Sequence, residues 1–132
     1  MGNRAVLCDK EMKHGIYLHW NGGTESVLAF LDAARTLGIR DPISDPDYAY
    51  ARMAQMIGNW FGGTTSIGMG DPLCMDDSDN GRYIIGSSFT IAKRTKPDKS
   101  IVDMARVAEM AADVVNVNRA IFLKDKPCPL II

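Results

Sequence analysis

The chain has 132 residues, 46% of them apolar, which fits one folded domain and excludes a disordered chain. Its 15 basic and 16 acidic residues give a net charge of −1. That balance excludes the broad basic face that long nucleic acid needs, so an anionic small ligand would have to be held by local donors.

No run reaches the roughly 18 apolar residues of a membrane span. The start, Met1-Gly2-Asn3-Arg4-Ala5-Val6, lacks the apolar core of a signal peptide and has no Ser or Thr at position 6 to complete a myristoylation signal. A cytoplasmic protein is expected. Cys8, Cys74 and Cys128 are scattered and form no CxxC pair, so they read as reduced thiols rather than a zinc site or a disulfide framework.

Residues 3–10 and 14–20 read as two strands around a turn, with Ile16, Leu18 and Trp20 on one face and Tyr17 and His19 on the other. Thr24 is expected to cap a first helix, with Glu25 at the positive end of its dipole. Its apolar stripe is Val27, Leu28, Leu31, Ala34 and Leu37, and Gly38 stops it. After a loop with two prolines, a second helix is expected from about Asp47 to Trp60, ended by Gly62-Gly63. Thr64-Thr65-Ser66-Ile67 can re-enter as a short strand.

Residues 68–81, GMGDPLCMDDSDNG, are turn-rich and end in a strong Asp-Asn-Gly turn signal. Arg82–Ile85 and Phe89–Ala92 follow as strands, with Gly86 as a bulge or bend and Lys93–Lys99 as a basic turn. Ser100 is expected to cap a third helix over about 101–116. Its apolar residues run nearly all the way round, which predicts burial on more than one side and hence packing against another copy. The apolar, proline-broken end, Ala120–Leu123 and 127–132, is expected to dock on its own core or on a neighbour. The class is α+β: residues 1–132 as a single ligand-binding domain, a mostly antiparallel sheet packed with about three helices.

Chemistry is sparse. His14 and His19 are five apart, which on one strand places them on opposite faces and argues against a shared metal. Asp76-Asp77-Ser78-Asp79 lacks the spacing of a calcium loop and reads as solvated. There is no GxSxG elbow, Walker motif or GxGxxG.

The glycine turns remain. Asn21, Gly22 and Gly23 precede a helix N-terminus, where free N–H groups and the dipole favour phosphate. Trp20, or Trp60 with Phe61, can offer a flat face for a base, and Arg52 can pair with a phosphate. The plain alternative is that the aromatic residues are core, Gly62-Gly63 is a helix stop, and Arg52 is a solvated charge.

Taken together, MGNRAV, GIYLHWNGG, Tyr50-Ala51-Arg52, NWFGGTTSIG and DNGRYII resemble one small phage family, the first described Thoeris anti-defence proteins. The similarity spans roughly residues 1–94; the GMGDPLCMDDSDNG segment does not align, and the C-terminal third matches loosely. The resemblance implies a sponge and not an enzyme. Such proteins bind the cyclic ADP-ribose isomer that TIR enzymes make from NAD and do not cleave it, with no cofactor or metal. It also implies a homo-oligomer, a dimer or hexamer, in the host cell cytoplasm. Some members hold cyclic di- or trinucleotides of the CBASS defence at separate sites between protomers.

On this resemblance the ligand-binding residues expected here are Trp20 or Phe61 for stacking, and Asn21, Gly22 and Gly23 for phosphate or ribose. Arg52 and Arg94 are expected to pair charge, and Asn80 either positions a ribose or only makes its turn. A trinucleotide site would draw on Arg82, Arg106 or Thr65. The alternatives are a cyclic-nucleotide-degrading enzyme with His19 as base, or a structural, protein-binding module.

Overall fold

A computed structural model describes residues 2–62 and 66–124. It is a single α+β domain: a five-stranded, mostly antiparallel sheet with three helices. The strands are β1 (Ala5–Cys8), β2 (Gly15–Leu18), β3 (Ile67–Gly70), β4 (Arg82–Ile85) and β5 (Ile91–Arg94). The helices are α1 (Thr24–Thr36), α2 (Pro46–Trp60) and α3 (Met104–Lys124). The sheet order is β3-β2-β1-β4-β5, antiparallel throughout except for the parallel β1–β4 pair.

Strand alternation gives β1 two buried faces. Ala5 and Leu7, with Ile16 and Leu18 of β2 and Tyr83 and Ile85 of β4, meet Val27, Phe30 and Leu31 of α1 and Tyr50, Met53 and Ile57 of α2. Val6 and Cys8 point the other way and are also fully buried. That face lies towards the turn-rich segment, whose 3-10 turn Pro72–Cys74 packs on β1 and β2. The acidic run is solvent-exposed, as expected, and it also acts as a clasp. Arg4 donates to Asp79 at 2.9 and 3.0 Å and to Asp76 at 2.7 Å, and Arg82 pairs with Asp77 at 3.4 Å.

Several boundaries differ from the sequence reading for identifiable reasons. Trp20 lies beyond the end of β2 and is 45% exposed, so it does not share the buried face of Ile16 and Leu18. Ser88 and Phe89 both have positive φ, 55° and 57°, so this stretch is a tight turn and not a strand. The Arg35 guanidinium holds that turn, donating to the Ser88 and Phe89 carbonyls at 3.1 and 2.9 Å. The following strand begins at Ile91 and takes in Lys93 and Arg94, which were expected to be turn.

α3 starts at Met104, not after Ser100. Asp103 caps it, its Oδ1 accepting from Ala105 and Arg106 N–H groups at 3.1 and 3.2 Å. The helix also runs on to Lys124. Val107, Ala111, Val114 and Val115 pack inward, while Met104, Ala105, Ala108 and Ala112 are exposed. The expected strand entry at Thr64-Thr65, the role of Gly63, and the docking of 127–132 lie outside the described residues. Among those described, no helix is long and apolar enough to cross a membrane.

Candidate functional site

The site is built at the start of α1, where the chain leaves β2. Asn21 turns with φ 60° and Gly22 follows. Gly22 is a close-approach residue: a Cβ there would lie 2.5 Å from the Asn3 carbonyl oxygen and 2.7 Å from the Ala5 Cβ. Both its backbone groups are occupied. Its N–H donates to the Asn3 carbonyl at 2.8 Å, and its carbonyl accepts from the Tyr83 hydroxyl at 2.8 Å. Gly22 is therefore a positioning residue and has no N–H free for a ligand, against the sequence expectation.

Gly23, not Thr24, is the N-cap, in extended conformation and with no side chain to cap the helix. The first helical bond runs from Val27 N–H to the Gly23 carbonyl at 3.0 Å. The N–H groups of Thr24, Glu25 and Ser26 thus have no acceptor among the described residues, as a helix start requires unless something caps it.

Around this end stand side chains from distant parts of the chain. Arg94 donates from Nη1 to the Thr24 hydroxyl at 2.7 Å and from Nε to the Asn80 carbonyl at 3.1 Å. Its guanidinium lies 4.3 Å from the centroid of the Tyr83 ring, a cation–π contact. The Thr24 hydroxyl passes its own hydrogen to Asp98 at 3.0 Å. Hydrogen bonds from the Ser100 side chain and backbone, and then from Thr24, hold the Asp98 carboxyl below its ordinary range. The Asn80 amide donates to Asn3 Oδ1 at 2.6 Å and to the Arg4 carbonyl at 2.9 Å, so it ties β1 to the corner as well as making its turn. Burial pushes the Tyr83 phenol up, so it remains a donor.

Of the eight expected residues, this corner gathers Gly22, Gly23, Asn80 and Arg94. Asn21 faces the other side of α1, where its amide bonds the Ser26 hydroxyl at 3.3 Å. Trp20 sits edge-on against His19, with ring centroids 5.1 Å apart. Phe61 is partly buried beside Trp60 and Phe30 and packs on the core, so it is not a free stacking face. Arg52 engages only its own helix among the described residues: the Tyr48 hydroxyl at 2.8 Å, the Gln55 amide at 3.1 Å, and the Tyr48 ring. Asn3, Thr24 and Tyr83 were missed as members of the corner. No local motif marks them, because their partners lie far away in the chain.

An open cleft of about 760 Å³ lies at a different place, between the start of α1 and one side of α3. Asn21, Ser26 and Trp60 line it together with Arg106 and four carboxylates: Glu25, Asp103, Glu109 and Asp113. Trp60 Nε1 donates to Asp113 at 2.9 Å, and Glu25 accepts from the Asp103 N–H at 3.2 Å. Such a lining repels an anion.

The histidines do not meet. His19 Nδ1 faces the Tyr17 hydroxyl at 2.8 Å, whereas His14 lies between Asp9 and Asp47. Arg82 is engaged by Asp77, and Thr65 lies outside the described residues. No group of three or more metal-ligating side chains occurs among the described residues. No protein-family model matches the chain, and no curated protein or solved structure is significantly similar to it.

Proposed function

We propose that the protein is a phage-encoded anti-defence sponge. On this reading it binds a cyclic ADP-ribose isomer made by TIR enzymes and holds it uncleaved in the host cytoplasm. The observation that carries the reading is the uncapped start of α1 with Arg94 fixed beside it. Oriented N–H groups and a guanidinium form a small anion-binding corner in a chain of near-zero net charge. A two-phosphate signal needs such local donors and no nucleophile. The resemblance of GIYLHWNGG and its companion segments to the Thoeris anti-defence family supports the same reading, including its choice of signal.

Assembly as a dimer or hexamer belongs to this proposal, with the exposed apolar face of α3 (Met104, Ala105, Ala108, Ala112) as the contact. Any cyclic di- or trinucleotide would sit between protomers.

The test is titration calorimetry with cyclic ADP-ribose isomers, then chromatography of the ligand released on boiling. The expected result is tight binding and unchanged ligand. A tight binder also stabilises the fold by roughly 3–4 kcal/mol at saturating ligand. A changed ligand would make the protein an enzyme and direct attention to its histidines. No binding and no thermal shift would overturn the reading.

A further inference from the structure

The connection between β1 and β2 carries a buried carboxylate with no part in the corner at α1. Asp9 is 5% exposed and closes the turn. Its Oδ1 accepts from the Lys13 and His14 backbone N–H groups at 2.8 and 3.0 Å. Its Oδ2 meets His14 Nδ1 at 2.8 Å. The other ring nitrogen, Nε2, meets a carboxylate oxygen of Asp47 in the first turn of α2. The ring also stacks on Tyr50 of α2, with centroids 5.5 Å apart and planes 22° apart. Tyr50 is fully buried, and its hydroxyl has no partner among the described residues.

An ionised carboxylate only accepts hydrogen bonds, and a neutral imidazole has only one N–H to give. A ring bonded by both nitrogens to carboxylates must therefore carry both protons. We infer that His14 is a proton-operated latch. As the imidazolium it ties the β1–β2 turn to the start of α2, and on losing its Nε2 proton it releases Asp47 while keeping Asp9. The order of release follows from exposure. Asp9 is buried and needs its donor, whereas the Asp47 side chain is 90% exposed and can turn to water.

The charged and titratable groups around the ring are Asp9 at the end of β1, Asp47 and Tyr50 on α2, and Lys10, Glu11 and Lys13 in the turn itself. Two carboxylates meet the ring directly, and their direction agrees with the geometry. The hydrogen bond to Asp9 raises His14 above its ordinary 6.5, and Asp47 adds to it. Burial works against the Asp9 carboxylate, but hydrogen bonds from the His14 ring and the His14 and Lys13 backbone hold it below its ordinary 3.8.

The signs follow from linkage. A raised folded value for His14 gives stabilisation that is complete below pH 6.5 and lost as pH rises through the folded value. A lowered value for Asp9 gives stabilisation present above 3.8 and lost as pH falls through its folded value. The latch is closed in the window between them.

NMR of the intact protein tests this. The His14 ring should titrate above 6.5. Its neutral form should be the Nδ1–H tautomer, read from the ring nitrogen shifts. Amide exchange at Tyr48 and Ala49 should rise, beyond its intrinsic pH dependence, as His14 loses its proton. Asp47→Asn changes an exposed residue and should lower the His14 value while leaving the tautomer unchanged. A ring that titrates at or below 6.5, an Nε2–H tautomer, or a value unmoved in Asp47→Asn would overturn the latch. These outcomes do not depend on the ligand proposed above.

Discussion

The corner at the start of α1 and the cleft beside α3 are neighbours with opposite characters. The corner is small. It holds helix N–H groups with no acceptor among the described residues, a guanidinium fixed by Thr24, Asn80 and Tyr83, and one carboxylate, Asp98, on the Thr24 hydroxyl. The cleft is roomy, but four carboxylates line it against Arg106. The corner sets one carboxylate beside its guanidinium and the cleft sets four, and for an anionic ligand that difference favours the corner. A carboxylate close to a phosphate costs on the order of 1 kcal/mol even in water and more in a partly enclosed site. Asn21 marks the divide on the cleft side, where its amide bonds the Ser26 hydroxyl, while Thr24 on the corner side bonds Arg94 and Asp98.

The largest expected effect comes from Gly22→Ala, which strikes the corner's frame. The added Cβ meets backbone, the Asn3 carbonyl oxygen and the Ala5 nitrogen, so no side chain can move aside to make room. Overpacking of this kind costs about 2 kcal/mol. For a chain of this size that lowers Tm by about 6–12 °C, readable by calorimetry. Gly23→Ala is the internal control. Its Cβ would meet only the Asn3 amide at 3.5 Å, an ordinary contact, so stability should hardly change. Equal losses in the two variants would remove the distinction between a framing glycine and a capping one.

That pair also shows what the sequence made legible. The Gly-Gly-Thr helix start is a local signal, and so are the two strands, the Asp-Asn-Gly turn and the amphipathic α1 and α2. The reason for each glycine is not local. Gly22 is glycine because β1's approach passes over it, and its carbonyl is claimed by Tyr83, 61 positions away. Arg94 was expected only as a charge to pair with the ligand; its three partners come from α1, the Asp-Asn-Gly turn and β4. The clasp made by the acidic run was not legible because Arg4 reaches it only through the parallel β1–β4 pairing, although Arg82 follows the run directly. The turn at Ser88 and Phe89 was hidden for a different reason. Neither residue favours positive φ, and Arg35 supplies from α1 what the local sequence does not. His14 was weighed only against His19, and its pairing with Asp9, five residues away in the same turn, was not anticipated. Nor was Asp47, which completes the sandwich.

Arg94→Ala should follow Gly22→Ala in size, but in affinity and not in folding. Loss of a charge-assisted hydrogen bond is worth about 1.5–3 kcal/mol, which weakens Kd for a cyclic ADP-ribose isomer roughly 10- to 100-fold in calorimetry. Arg94→Lys should recover only part of this, because a single ammonium cannot span Thr24, Asn80 and the ligand as a fork does. Arg52→Ala divides the possibilities. Arg52 reaches only Tyr48 and Gln55 among the described residues, so binding in the corner should change less than about twofold, within the range of distant surface substitutions. A tenfold loss in Arg52→Ala with an unaffected Arg94→Ala would move the site to α2.

The smallest expected effect tests the cleft directly. Glu109 lines it, is exposed, and carries one of its negative charges. If the ligand sits in the corner, Glu109→Gln removes a charge that acts across solvent and is screened at physiological salt, where the Debye length is about 8 Å. Kd should then tighten by less than about twofold. If the phosphates enter the cleft, they lie against this carboxylate, and neutralising it should tighten Kd by more than about threefold, with the gain growing at low salt. The salt dependence matters more than the size of the change. A gain that vanishes between low and physiological salt is long-range field, whereas one that persists is contact. Only the second would show that the corner's donors, though better suited to an anion, are not the ones that hold it.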